Sequence, residues 1–148
     1  MNAIRRVLVG YGSESGNARA LAQRLGSYPA LTTHNPKVLP FSEIDVGSLG
    51  AGDVLLAVSS SFGDGEPPAN AERFTDALRQ HPALPGLRYA VFGLGDTGYP
   101  RFCGFTKGLD ALLGEKQAQP LLQRVDADAG YEGFFQQWAP VLGAVLNG

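Results

Sequence analysis

The sequence predicts an open α/β fold: five parallel strands in the order 2-1-3-4-5, with helices packed on both faces. Three observations carry that expectation. Apolar runs of strand length alternate with segments of helical periodicity along the chain. Two of the runs, Val54-Leu55-Leu56-Ala57-Val58 and Tyr89-Ala90-Val91-Phe92, are apolar throughout, as strands covered on both faces are. Such alternation builds a parallel sheet, and right-handed crossovers leave few topologies for five strands. The expected architecture is a three-layer, doubly wound sandwich forming a single domain over residues 1–148.

The elements follow in order. Val7-Leu8-Val9 is the first strand, directly after Arg5-Arg6. Ala18, Leu21, Ala22 and Leu25 share one helical face, with Gly26 as the stop. Val38-Leu39 lies between Pro36 and Pro40, and proline confines a strand to a sheet edge. The connection from Phe41 to Leu49 has room for a short helix. The third strand is Val54–Val58, and Ala71, Phe74, Ala77 and Leu78 form the next stripe after Pro67-Pro68. Tyr89–Phe92 leads to a stripe of Phe102, Phe105, Leu109, Leu112 and Leu113, ended by Gly114. Leu121-Leu122 is the fifth strand. Tyr131, Phe134, Phe135, Trp138, Val141, Leu142 and Val145 make the final helix, which Pro140 is expected to kink or split.

Composition excludes several classes of function. A chain of 148 residues, 44% apolar, is long enough to bury a core. A formal net charge of -2 gives no electrostatic case for nucleic acid or a membrane surface. One cysteine, Cys103, allows neither an intramolecular disulfide nor a cysteine-built metal site. His34 and His81 lack ligand spacing and read as solvated loop residues, so no metal site is expected. Val7-Leu8-Val9 is too short for a signal-peptide core or a membrane span, which makes the cytoplasm the expected location.

Chemistry concentrates in three loops that follow strands one, three and four. In such sheets ligands bind beyond the carboxyl ends of the strands, near the switch between strands one and three. The first loop is Gly12-Ser13-Glu14-Ser15-Gly16-Asn17. A helix start offers free N–H groups and a partial positive charge to a phosphate. Ser13, Ser15 and Asn17 add side-chain donors, and Gly16 permits a close backbone approach. Glu14 is expected to face outward, since a carboxylate repels a phosphate. The alternative for this loop is a helix N-cap with no ligand.

The second loop is Ser60-Ser61-Phe62-Gly63-Asp64-Gly65-Glu66-Pro67-Pro68 and the third Gly93-Leu94-Gly95-Asp96-Thr97-Gly98-Tyr99. Phe62 and Tyr99 each stand among glycines and acids, and together suit the two faces of a flat heterocycle. A phosphate loop beside an aromatic sandwich points to FMN. Gly63 allows its peptide to turn toward flavin N5 when that atom gains a hydrogen on reduction. Asp64, Glu66 and Asp96 would disfavour an anionic reduced ring, although they also read as a solvated rim. No catalytic residue is expected.

Several other motifs lead elsewhere. Gly10-Tyr11-Gly12-Ser13-Glu14-Ser15-Gly16 approximates a dinucleotide fingerprint, and Gly93-Leu94-Gly95-Asp96-Thr97-Gly98 fits G-x-G-x-x-G. The latter runs into Tyr99-Pro100, with no strand and terminal acid following at the required distance. Cys103 is expected to pack at the start of a helix, and Trp138 in the core. Asp126 and Asp128 are expected to cap the final helix rather than form a paired-carboxylate site.

The segments Gly12 to Arg19, Ser59 to Ala69, Phe92 to Cys103 and Leu121 to Asp128 resemble the flavodoxins. Within that family the likeness is nearest to the FMN module of diflavin reductases such as the sulfite reductase flavoprotein. The Gly-Asp-Gly-Glu-Pro-Pro and Phe-Gly-Leu-Gly-Asp-Thr stretches are its specific parts. The resemblance implies that Ser13, Glu14, Ser15, Gly16 and Asn17 bind the FMN phosphate. It implies Ser60, Ser61, Phe62 and Gly63 on one side of the ring, and Gly93, Gly95, Asp96, Tyr99 and Phe102 on the other. It implies single-electron transfer, with an NADPH-dependent flavoprotein reductase as donor and a metabolic enzyme as acceptor. Ending at Gly148, the chain is expected to be a free-standing carrier, with docking charge local to Glu14, Asp64, Glu66 and Asp96. The rival readings are a small FMN-dependent NAD(P)H or quinone reductase and a receiver-like signalling module. The latter expects acids where Tyr11-Gly12-Ser13 and Ser59-Ser60-Ser61 stand.

Overall fold

The computed structural model describes residues 3–13, 16–61, 65–98 and 101–148. At its centre β1 (Arg6–Gly12) lies between β2 (Lys37–Pro40) and β3 (Asp53–Ser60), and β4 (Arg88–Leu94) pairs with the far side of β3. All pairings are parallel, with Gly12 opposite Ser59 and Ser60 opposite Leu94. The ends of β1, β3 and β4 are thereby level, and the expected 2-1-3-4-5 order holds.

The fifth position differs from expectation. It holds two short strands, β5 (Gln119–Pro120) against Arg88-Tyr89 and β6 (Val125–Ala127) against Phe92–Leu94. Leu121 and Leu122, predicted to be the strand, fall in the break between them. Both pack on the core, and Leu121 N–H still donates to Tyr89 C=O at 2.7 Å, the last backbone bond of the β5 pairing before the chain leaves the sheet.

Both faces are covered. Val7, Val9, Leu56, Val58, Ala90 and Phe92 point toward α1 (Asn17–Gly26) and α5 (Tyr131–Asn147). Leu8, Leu55, Ala57, Tyr89 and Val91 point toward α3 (Glu72–Gln80) and α4 (Gly104–Glu115). Alternate residues of one strand thus feed opposite cores, which explains strands without a polar face. Aromatic pairs anchor each core. Phe41 stacks on Phe74 at 4.8 Å, and Phe92 meets Trp138 at 5.1 Å. The short helix α2 (Pro29–Thr32) packs against α5. Among the described residues no helix is long and apolar enough to cross a membrane.

The helices depart from the predicted stripes in small ways. Helix α5 continues through Pro140. Its buried line is Phe135, Trp138, Ala139, Leu142 and Leu146, the 3.6-residue spacing counted from Phe135. Phe134 and Val141 lie one step off that line and are 44% and 51% exposed. Ala77 is likewise exposed, while Thr75 is buried beside Phe74 and Leu78. Helix α4 passes Gly114 and ends before Gln117, which takes φ 68°. Phe41 to Leu49 forms two 3-10 turns, Phe41–Glu43 and Val46–Ser48.

Candidate functional site

The levelled strand ends open on a cleft of about 200 Å³ lined by Asn17, Ser60, Ser61, Gly95, Asp96 and Phe102 among the predicted residues. Residues from all three expected loops therefore meet in one place. Leu94, Arg101, Cys103, Asp128, Ala129 and Tyr131 complete the lining.

At one end, Gly16 adopts φ 91°, a left-handed conformation that glycine takes without strain, and donates its N–H to Ser13 Oγ at 2.8 Å. The first helical bond runs from Ala20 N–H to Gly16 C=O at 3.0 Å. The amides of Asn17, Ala18 and Arg19 consequently have no acceptor within the helix, and they lie at its positive end. Ser13 and Gly16 build this turn without lining the cleft; Asn17 reaches it.

In the middle, two serines tie the loops together. Ser60 Oγ lies 3.4 Å from Gly12 C=O, whereas Ser61 donates its N–H to Leu94 C=O at 3.0 Å and accepts from Phe105 N–H through Oγ at 3.1 Å. Asp96 is exposed and accepts from Gly98 N–H at 2.8 Å, closing the third loop on itself. Phe102 lies beside the cleft with Lys107 Nζ 5.4 Å from its ring centre. Glu14, Ser15, Phe62, Gly63, Asp64 and Tyr99 lie outside the described residues.

Gly93 occupies a different environment. It lies buried inside β4, opposite Ser59 and Asp126, and a Cβ there would collide with Thr106. Gly10 and Gly12 likewise belong to β1, where a Cβ would press on the Phe41 ring at 2.8 and 3.1 Å respectively. Gly10, Gly12 and Gly93 thus lie within strands and not in the turns after them, where they make room for neighbouring side chains.

The six residues that complete the lining escaped the sequence reading as site residues. Arg101 brings a cation beside Asp96 and Asp128, and no carboxylate among the described residues pairs with it. Asp128 accepts from Gly130 N–H at 2.9 Å just before α5, close to the expected capping role. Asp126, expected to cap the same helix, instead binds Arg124 at 2.8 Å. Tyr131 was assigned to the apolar stripe of α5, and it also borders the cleft, because the exit from the last strand forms a fourth wall. Cys103 is buried at φ 54°, and burial, helped by the charge of Asp126, pushes its thiol up to about 11. That keeps it protonated and a poor nucleophile at neutral pH.

Comparison with known proteins gives one consistent result. The family model described as Flavodoxin matches residues 9–138. The sulfite reductase [NADPH] flavoprotein alpha-component of Klebsiella pneumoniae is 38% identical over 128 residues, covering 85% of this chain and 21% of that protein. Inducible nitric oxide synthase of Bos taurus is 36% identical over 137 residues, covering 90% of this chain and 12% of that protein. The chain thus spans about a fifth of the length of the first relative and about an eighth of the second. A cysteine-to-serine variant of flavodoxin from Pseudomonas aeruginosa superposes with a TM-score of 0.82 at 28% identity, covering 97% of this chain and 99% of that one.

Proposed function

The chain belongs to the flavodoxin family, and from that premise we propose that it binds FMN noncovalently and carries single electrons between redox proteins. The supporting observation is the convergence of Asn17, Ser60, Ser61, Asp96 and Phe102 on one cleft at the carboxyl ends of three parallel strands. The donor set fits the cofactor. Amides at the start of α1 that have no acceptor within the helix, next to the Ser13 turn, suit a phosphate. Leu94, Phe102 and Tyr131 offer apolar surface to a flat ring. Bound FMN supplies the reversible one-electron chemistry, while the protein's own residues bind and orient it.

In this reading Ser13, Gly16 and Asn17 shape the phosphate end, joined by Glu14 and Ser15 on the strength of the family resemblance. Ser60 and Ser61 carry the loop beside one ring face and Gly95, Asp96 and Phe102 the loop beside the other, with Phe62, Gly63 and Tyr99 assigned by the same resemblance. Membership of the flavodoxin family supports a carrier working between an NADPH-dependent reductase and an acceptor enzyme. Its expected location is the cytoplasm.

Stepwise reductive titration of the purified protein tests the proposal. A yellow protein that accumulates a one-electron-reduced form near half reduction is expected. A colourless protein that leaves the spectrum of added FMN unchanged would overturn it. Rapid direct oxidation of NADPH without a reductase would instead favour a small flavin enzyme.

A further inference from the structure

We propose that Arg124, which lies outside the cleft, is a positioning residue for it, and this rests on the FMN reading above. Two elements meet at its guanidinium, and a third joins them through Asp110. Nη1 donates to Asp110 Oδ2 of α4 at 2.6 Å, and Nε donates to Asp126 Oδ1 of β6 at 2.8 Å. The Tyr89 hydroxyl of β4 donates to the other oxygen of Asp110 at 2.9 Å. The side chains of Arg124, Asp110 and Asp126 are only about a quarter exposed, so these charge-assisted bonds are less screened than surface pairs.

The clamp has work to do because of the broken fifth strand. Val125–Ala127 is only three residues long and follows a stretch, residues 121–124, with no assigned strand pairing. Arg124 stands just before β6, and its bonds to Asp126 hold the two side chains on one side. Joined to Asp110, they fasten β6 to the middle of α4. The cleft hangs from the next residue. The Ala127 carbonyl accepts from Gly95 N–H at 2.8 Å and lies 3.9 Å from Cys103 Sγ. Gly95 and Cys103 are themselves packed so closely that a Cβ on Gly95 would approach Sγ to 2.8 Å. Gly95, Cys103 and Asp128 all line the cleft, whereas Arg124, Asp110 and Asp126 do not. The guanidinium therefore sets where one wall of the cofactor cleft stands without touching what lies in it.

FMN affinity of the apo-protein, read by quenching of flavin fluorescence, is measured beside urea unfolding of the same samples. Arg124→Met and Asp110→Asn are each expected to raise Kd about tenfold while the apo-protein stays more than ~95% folded; a lowered competent fraction of that size changes Kd by only about 5%. The double variant is expected to be no worse than Arg124→Met, because both changes break one unit. Arg124→Lys keeps the charge and loses the fork, and is expected to fall between parent and Arg124→Met. If Arg124→Met does not fold, Arg124→Lys and Asp110→Asn decide the question. Kd values within about twofold of the parent in folded variants, or losses that simply add, would overturn the clamp. A parent that fails to bind FMN would overturn the cofactor reading itself, a distinguishable result.

Discussion

Asp53 is fully buried at the first residue of β3, where its carboxylate accepts from Arg5, Arg6 and the Gly50 N–H. Burial alone would raise its pKa; the two guanidiniums and the amide outweigh burial and hold it below the ordinary value of 3.8. A depressed folded-state pKa means that the stabilisation is complete above the unfolded value and is lost as pH falls through the folded one. Asp53→Asn is expected to cost about 2 kcal/mol at pH 7. Urea midpoints measured downward from pH 6 should show parent and variant converging below pH 3.8. Cys103, buried with its thiol near 11, should react with a disulfide reagent at pH 8 at least about a hundredfold more slowly in the native protein than in urea. At this scale the sequence was readable in part. Ser60, Ser61 and Asp96, picked out with their loops, line the cleft, and so does Phe102, which its pattern placed on a helical stripe and only the family resemblance placed beside a ring. Gly10, Gly12 and Gly93 were harder, because a glycine needed for space looks in sequence like a glycine needed for a turn. Arg101 was missed for a related reason: nothing local distinguishes a cation beside a cleft from one in solvent.

Elements were legible wherever burial alone decided them. Val54–Val58 and Tyr89–Phe92 are continuous apolar runs because helices cover both sides, and both are strands. Leu121-Leu122 misled because apolar character reports packing and not where a strand stops: only Leu121 N–H still bonds β4 before the chain leaves the sheet. The seam between β4 and α4 makes a sharp test of packing. Gly93→Ala drives a methyl into the buried Thr106 and is expected to cost about 1–3 kcal/mol, part of which Thr106→Ala should restore. In α5, Pro140 is exposed and interrupts the hydrogen-bond ladder of a helix that continues past it. Pro140→Ala is expected to stabilise the protein by about 1 kcal/mol, the recovered helical bond outweighing the looser unfolded chain. Differential unfolding of parent and variant measures both effects.

For the molecule as a whole, FMN should act as a folding ligand. At a free concentration a hundred times its Kd, FMN adds about 2.7 kcal/mol, raising the melting temperature of a domain this size by roughly 5–10 °C. A melting temperature indifferent to FMN would contradict the assigned cleft. The site's location followed from topology, since loops after strands one, three and four must meet above the sheet. Its fourth wall at Asp128 and Tyr131 depended on where the broken last strand resumes, which no local pattern announces. The lengths involved carry one more consequence. Asp53 and Ser60 are the two ends of β3, about 23 Å apart at 3.3 Å per residue. Asp53→Asn acts only at the arginine-bound end and leaves every residue of the cleft in place, so under the FMN reading heat tolerance and electron affinity can be selected independently along one strand.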